Sequence, residues 1–149
     1  MPGGLYSGVA MNIFISDDSA ALRERLCAAL SENAGLNVIG QAGTVPATLD
    51  GVKALQPDVL IQDIFLHQEN GLRIIEDVKR TLPKTVVIVF ARHPEHQYRR
   101  LSLEAGADHY LVKSSGWNAL LTLLQRIVTH DRKARSPSLA PHQAPPIAL

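Results

Sequence analysis

Cysteine is all but missing from this sequence. Cys27 stands alone among 149 residues, so no intrachain disulfide can form and packing must hold the fold. Its place among apolar residues of an expected helix predicts a buried thiol, which agrees with a reducing compartment. An excess of either charge is missing too. Fifteen Lys and Arg offset fourteen Asp and Glu, leaving +1, so no strong field draws the chain to nucleic acid or to an anionic membrane. No apolar run approaches the roughly 20 residues that cross a bilayer. The opening MPGGLYSGVA has neither the basic start nor the apolar stretch of a signal peptide. The expected setting is therefore the cytoplasm, with no membrane and no direct nucleic-acid partner.

What is present is a globular composition, 46% apolar and 19% charged, in a chain long enough for one domain with its own core. Residues 1–10 read as a flexible extension, with Met11 a candidate start just before the first apolar run. From 132 to 149 the chain reads as a disordered tail, where Arg132, Lys133 and Arg135 lead to Pro137, Pro141, Pro145 and Pro146. The folded domain is expected over 11–131.

Within it, apolar runs alternate with helical periodicity. NIFIS stops at Asp17-Asp18-Ser19, where Ser19 or Asp18 can cap a helix carrying Leu22, Leu26 and Leu30. LNVIGQ follows Gly35. Thr44 caps a second helix with Pro46 in its first turn and Leu49, Val52 and Leu55 inward. VLIQ ends at Asp63, a loop IFLHQEN leads to Gly71, and a third helix carries Leu72, Ile75 and Val78. TVVIVF reads as a strand covered on both faces. A fourth helix opens at Pro94 and ends at Gly106, His109 to Val112 make a fifth strand, and Trp117, Leu120, Leu121, Leu124 and Ile127 line a last helix. Five such units imply an α/β fold, a flavodoxin-like doubly wound parallel sheet in the order 2-1-3-4-5 with helices on both faces.

In a parallel sheet the carboxyl ends of the strands share one edge, so Asp17, Asp18, Asp63 and Lys113 should converge there. Three carboxylates repel one another unless cations intervene. Lys113 supplies one charge, and an all-oxygen donor set favours Mg2+ for the rest. Such a pocket suits transfer of a phosphoryl group onto an aspartate, giving an acyl phosphate.

These residues fall in three groups: Asp17-Asp18, Asp63-Ile64-Phe65-Leu66 with Gly71 eight positions on, and Gly106-Ala107-Asp108-His109-Tyr110-Leu111-Val112-Lys113. In this order and spacing the sequence resembles the receiver domains of two-component response regulators over about 11–131. The resemblance implies that Asp63 accepts phosphate from a sensor histidine kinase or phosphotransfer protein. It implies that Asp18 binds Mg2+ directly, Asp17 largely through water, and that Asp63 and the backbone carbonyl of Phe65 complete the protein ligands. Lys113 would contact the phosphoryl group. The fourth helix, fifth strand and fifth helix would report to a downstream protein or a second copy of the chain. Such a domain signals and is no enzyme beyond its own phosphorylation and dephosphorylation. HPEHQY, and Ser114 after Lys113, look most like regulators with a helix-turn-helix output domain, for which the residues after 131 are too few.

Three departures from that family stand out. Ala91, twenty-two positions before Lys113, takes a place where most receivers carry Thr or Ser. Alanine has no donor, and a hydrogen bond to a charged group is worth about 1.5–3 kcal/mol. With Tyr110, Ala91 marks the expected switch positions, and Arg92 beside it is a candidate substitute donor. His67 replaces a common proline. Phe65 is large and apolar, and is expected to shield an acyl phosphate from water; a half-life of seconds for that phosphate would count against the idea. The alternative function is a phosphorylation-insensitive pseudo-receiver acting as a protein-interaction scaffold. An aspartate-nucleophile phosphatase or dehalogenase usually needs a second aspartate where Phe65 stands, and a flavin site needs a phosphate-cradling loop that Asp17-Asp18 would oppose.

Taken singly, each residue also has a plainer reading. Asp17 and Asp18 can simply cap a helix, Lys113 can be a solvated loop lysine, and Tyr110 can cover a sheet edge. His93 and His96 lack companion ligands and read as solvated surface. Arg99 and Arg100 read as the exposed side of the fourth helix, and Trp117 as core.

Overall fold

The computed structural model of the protein describes residues 10–135, with side chains described to residue 131. The expected N-terminal extension, apart from Ala10, and the end of the expected tail lie outside the described residues. The elements run β1 (Met11–Ser16), α1 (Ala20–Ser31), β2 (Leu36–Ala42), α2 (Val45–Leu55), β3 (Val59–Gln62), β4 (Phe65–Leu66) and β5 (Glu69–Asn70). They continue α3 (Leu72–Thr81), β6 (Val86–Ala91), α4 (His96–Ala105), β7 (His109–Val112), a short 3-10 turn (Lys113–Ser115) and α5 (Trp117–Arg135).

Five strands form one sheet in the order β2-β1-β3-β6-β7, and every neighbouring pair is parallel. Counting only these five, the order is the expected 2-1-3-4-5. The numbering is displaced by β4 and β5, an antiparallel pair inside the expected loop after β3. His67 and Gln68 close that pair with positive φ at both positions, 49° and 70°, the mirror-image turn that suits a two-residue hairpin. Such turns are usually signalled by Asn-Gly or Asp-Gly, and neither is present.

Strand alternation divides the interior in two. Ile13 and Ile15 of β1 pack with Leu26 and Leu30 of α1 and with Leu120 and Leu124 of α5. Phe14 faces the other way, with Val52 of α2 and Ile74 and Val78 of α3. Both faces of the sheet are thus covered, and β6 is buried from Val87 to Ala91. Ser19, rather than Asp18, caps α1, its Oγ accepting the Leu22 N–H at 3.2 Å. Thr44 caps α2 in the same way through the Ala47 N–H, at 3.2 Å.

Three expectations shift. Leu55 is 46% exposed, because it is the last residue of α2 and lies over Gly40 on the edge strand β2. Cys27 is only half-buried; Gln41 Nε2 donates to its Sγ at 3.5 Å, and burial pushes its pKa up. The last helix runs to Arg135, four residues past the expected domain end. Asp131 to Arg135 contain neither Pro nor Gly, and the first breaker is Pro137.

The Gly106-Ala107-Asp108 motif has a structural job. Gly106 ends α4 with φ 118°. Asp108 Oδ2 then accepts from the Val87 N–H at 2.8 Å and from Lys79 Nζ at 3.0 Å. This ties α3, β6 and β7 together just before the chain reaches Lys113.

Candidate functional site

Strand register brings the acidic residues together. Ser16 of β1 pairs with Gln62 of β3, so the residues that follow them, Asp17 and Asp63, emerge side by side at the carboxyl edge. The Asp63 N–H still donates to the Ser16 carbonyl at 3.0 Å. Two strands away, β7 ends at Val112 and delivers Lys113.

The side chains meet closely. Lys113 Nζ donates to Asp17 Oδ2 at 2.7 Å and to Asp63 Oδ2 at 2.8 Å. Both aspartates are 3% exposed. Asp17 Oδ1 accepts the Ser19 N–H at 2.9 Å, and Asp63 Oδ1 accepts the Ile64 N–H at 2.7 Å. Asp18 is half-buried, and its Oδ2 accepts the His67 N–H at 3.1 Å. A proline at 67 would have neither this N–H nor the positive φ, so the change to histidine alters how Asp18 is held.

Oxygen atoms of Asp17, Asp18 and Asp63 lie within 4.8 Å of one another, the one such group of His, Cys, Asp and Glu among the described residues. Three carboxylates facing one ammonium leave an excess of negative charge, and an all-oxygen donor set of this kind fits a hard divalent cation. Asp17 records the strain. Burial pushes its pKa above the usual carboxylate value, against the opposing hydrogen bond from Lys113. Because folding raises that pKa, the ionised form of Asp17 counts against the folded state at neutral pH. Asp17→Asn is therefore expected to melt a few degrees higher without metal and to gain less from added Mg2+. Thermal melts with EDTA and with MgCl2 check both signs, and a lower metal-free melting temperature would contradict the account.

Beside the carboxylates lies an open cavity of 430 Å³ lined by Asp18, Asp63, Phe65, Gln68, Arg92 and His93. The Phe65 ring stands edge-on to His93 at 5.3 Å and to Tyr98 at 5.6 Å. His93 is thus part of a three-ring cluster while its side chain stays 39% exposed, and His96 is exposed. Neither belongs to the metal-spaced group. Trp117 is half-buried and packs against the core beside Phe90 at 6.2 Å, with the Arg25 guanidinium over its ring.

Ala91 is fully buried at the end of β6 and presents no donor to the cavity. Tyr110 is turned inward, 6% exposed, with its hydroxyl donating to the His93 carbonyl at 2.5 Å. Burial, more than the nearby Glu95 and Asp63 charges, pushes its pKa up to about 12. The hydroxyl remains a donor at neutral pH and holds the β6–α4 loop. Arg99 is committed to the same residue, lying over the Tyr110 ring at 6.0 Å and donating to its carbonyl at 3.3 Å. Among the described residues Arg100 pairs only with Glu104, at 3.9 Å.

Gln62 and the backbone role of Gly71 escaped sequence reading. Gln62 is fully buried, and its Nε2 donates to the Gly71 carbonyl at 3.0 Å. The Gly71 N–H donates in turn to the Ile64 carbonyl. A polar residue closing the apolar run VLIQ was the available signal for Gln62. For Gly71 only its offset from Asp63 pointed to importance.

The chain matches the family model of the response regulator receiver domain over residues 13–125. It is 36% identical over 96 residues to a protein-glutamate methylesterase/protein-glutamine glutaminase 1 of Rhizobium johnstonii, covering 64% of this chain and 28% of that protein. It is 30% identical over 122 residues to the transcriptional regulatory protein DesR of Bacillus subtilis, covering 82% and 60%. The chain thus spans less than two thirds of the length of these relatives. Among solved structures it is similar to the signal receiver domain of NarL from Mycobacterium tuberculosis, with a TM-score of 0.74, 26% identity and coverage of 80% and 97%. In fold it also matches the response regulator domain of Thermotoga maritima CheB, with a TM-score of 0.71, 22% identity and coverage of 81% and 95%. The matched stretch holds the whole acidic pocket, from Asp17 to Lys113, and the chain belongs to the family of response regulator receiver domains.

Proposed function

We propose that this protein serves two-component (phosphorelay) signalling by accepting a phosphoryl group on Asp63 from a histidine kinase or a phosphotransfer protein. The observation that carries this reading is the placement of Asp63. It lines the open cavity while Lys113 Nζ sits 2.8 Å from its Oδ2 and 2.7 Å from Asp17 Oδ2. An Asp63 oxygen attacks phosphorus, the bond from phosphorus to the donor's imidazole nitrogen breaks, and an acyl phosphate remains. Asp18, Asp17 largely through water, Asp63 and the Phe65 carbonyl would hold Mg2+, which when bound supplies positive charge to the phosphoryl oxygens. Lys113 binds one of those oxygens, and Phe65 on the cavity wall limits the approach of water.

Ala91 and Tyr110 are the switch positions in this reading. The groove between α4, β7 and α5, lined by Arg99, Leu103, Tyr110 and Leu123 among others, would report the change to a downstream protein or a second copy of the chain. Leu101 and Leu103 stand 41% and 39% exposed on α4. No helix among the described residues is long and apolar enough to cross a membrane, and a cytoplasmic setting follows from the proposed partners. The output activities of longer relatives are theirs.

One observation favours a second reading. With Ala91 buried and without a hydroxyl, and Tyr110 already inward, the domain has less to change on phosphorylation and would act as a scaffold. Amide NMR spectra recorded before and after phosphoramidate and Mg2+ separate the two. Uptake with shifts at His93, Tyr98 and Tyr110 supports the switch, and uptake with shifts confined to the pocket supports the scaffold.

A further inference from the structure

Arg92 is the one cation among the six residues that line the Asp63 cavity and the first residue after β6. Its side chain is exposed, and among the described residues it makes no hydrogen bond or ion pair. Neighbouring arginines are committed, Arg99 to Tyr110 and Arg100 to Glu104. A guanidinium left free on the wall of an acidic cavity is suited to a ligand carrying several anionic oxygens, because its planar fork can engage two at once.

The placement of the other donors says which ligand. A phosphoryl group on Asp63 presents three oxygens. Lys113 is held at the Oδ2 side of Asp63, and the acidic group Asp17, Asp18 and Asp63 offers a cation to another side. The cavity wall just past the end of β6 is lined by Arg92, while Ala91 before it is fully buried and has no side-chain donor. We infer that Arg92 is a phosphoryl-binding residue of this site, closing over the oxygen that Ala91 leaves without a partner. This rests on the phosphoacceptor reading of Asp63 and adds the residue that registers the phosphoryl group from the β6–α4 loop. Since His93 follows directly and its carbonyl holds the Tyr110 hydroxyl, movement of Arg92 toward the phosphoryl group would pull on the loop that anchors Tyr110.

Charge makes the inference testable apart from fold. A cation that binds the phosphoryl group opposes a metal ion in the same cavity, so its removal acts with opposite sign on the two ligands. Beryllofluoride serves as the phosphoryl mimic, followed by fluorine NMR in saturating Mg2+, with Mg2+ alone titrated separately. Arg92→Ala is expected to weaken beryllofluoride binding about tenfold, the loss of one charged hydrogen bond in a partly exposed site. The same variant should bind Mg2+ as well as the parent or slightly better. Arg92→Lys should recover part of the loss, and Arg92→Ala combined with Ala91→Thr should recover part by another donor. A purely structural role would weaken both ligands and lower the melting temperature. Unchanged beryllofluoride affinity in Arg92→Ala, or parallel loss of both ligands, overturns the inference while leaving Asp63 in place. Failure of the parent to bind beryllofluoride overturns the phosphoacceptor reading and this inference together.

Discussion

Replacing Lys113 with alanine is expected to tighten Mg2+ binding about tenfold while destabilising the metal-free protein. Among the described residues, Lys113 Nζ is the only cation bonded to the carboxylates of Asp17 and Asp63, at 2.7 and 2.8 Å. An ammonium and a divalent ion compete for the same oxygens, and a neighbouring unit charge in a partly buried site is worth a kcal/mol or more. Removing it frees both carboxylates for metal. Without metal the same change leaves two carboxylates, each 3% exposed, with no charge partner. Breaking a buried pair on one side typically costs about 3–5 kcal/mol, and the open cavity beside Asp63 reduces that to about 2–3. A domain of this size should then melt on the order of 10 °C lower in EDTA, and saturating Mg2+ should restore most of the loss. Melts and Mg2+ titrations read both signs. An unchanged melting temperature with unchanged Mg2+ affinity would mean that Lys113 does not hold these aspartates.

Gly71→Ala should be nearly as damaging, for a reason that involves no charge. The φ at Gly71 is −74°, open to any residue, so the constraint is space. An added β-carbon would lie 2.6 Å from the Ile64 carbonyl oxygen, 2.7 Å from that of Asp63 and 2.7 Å from Gln62 Nε2. Two of these are backbone atoms, of Asp63 itself and of the residue after it, and cannot turn away. The expected loss is about 2–4 kcal/mol, with reduced phosphorylation even of the folded fraction because Asp63 must shift. Gly116 is the control: its φ is 86°, but nothing lies within 4 Å of an added β-carbon. With ψ at 177° this is a backbone region that only glycine adopts freely, so alanine there should cost about 1–3 kcal/mol of strain but leave the site intact. Denaturant unfolding and phosphoramidate uptake of both variants check the contrast, and a Gly71→Ala protein within 0.5 kcal/mol of the parent, the range of an ordinary surface change, or one that takes up phosphate as the parent does, would contradict it.

The pocket was legible because its parts are local and its assembly is generic. NIFIS, VLIQ and HYLV are short apolar runs, each followed directly by a charged residue, and a parallel sheet aligns such ends without further information. What escaped depends on backbone meeting backbone across the loop after β3. Nothing in His67-Gln68 announces a mirror-image turn, and nothing in Gly71 announces the two carbonyls beneath it. The surroundings of His93 follow from the path of the β6–α4 loop, which brings it against Phe65 and Tyr98; the sequence spacing of His93 and His96 carries no trace of that. Leu55 and Cys27 misled for one reason. Helical periodicity marks the side facing the sheet but not where a helix or an edge strand leaves one flank uncovered.

The central claim, that Asp63 takes a phosphoryl group in a metal-dependent pocket, is tested most directly by mass. The parent and Asp63→Asn are incubated with phosphoramidate, with Mg2+ and with EDTA, and intact masses are followed by peptide mapping. The account predicts one phosphoryl group, on the peptide containing Asp63, in the parent with Mg2+, and none in EDTA or in Asp63→Asn. Equal uptake by Asp63→Asn, or no uptake by the parent at saturating donor and Mg2+, would contradict it.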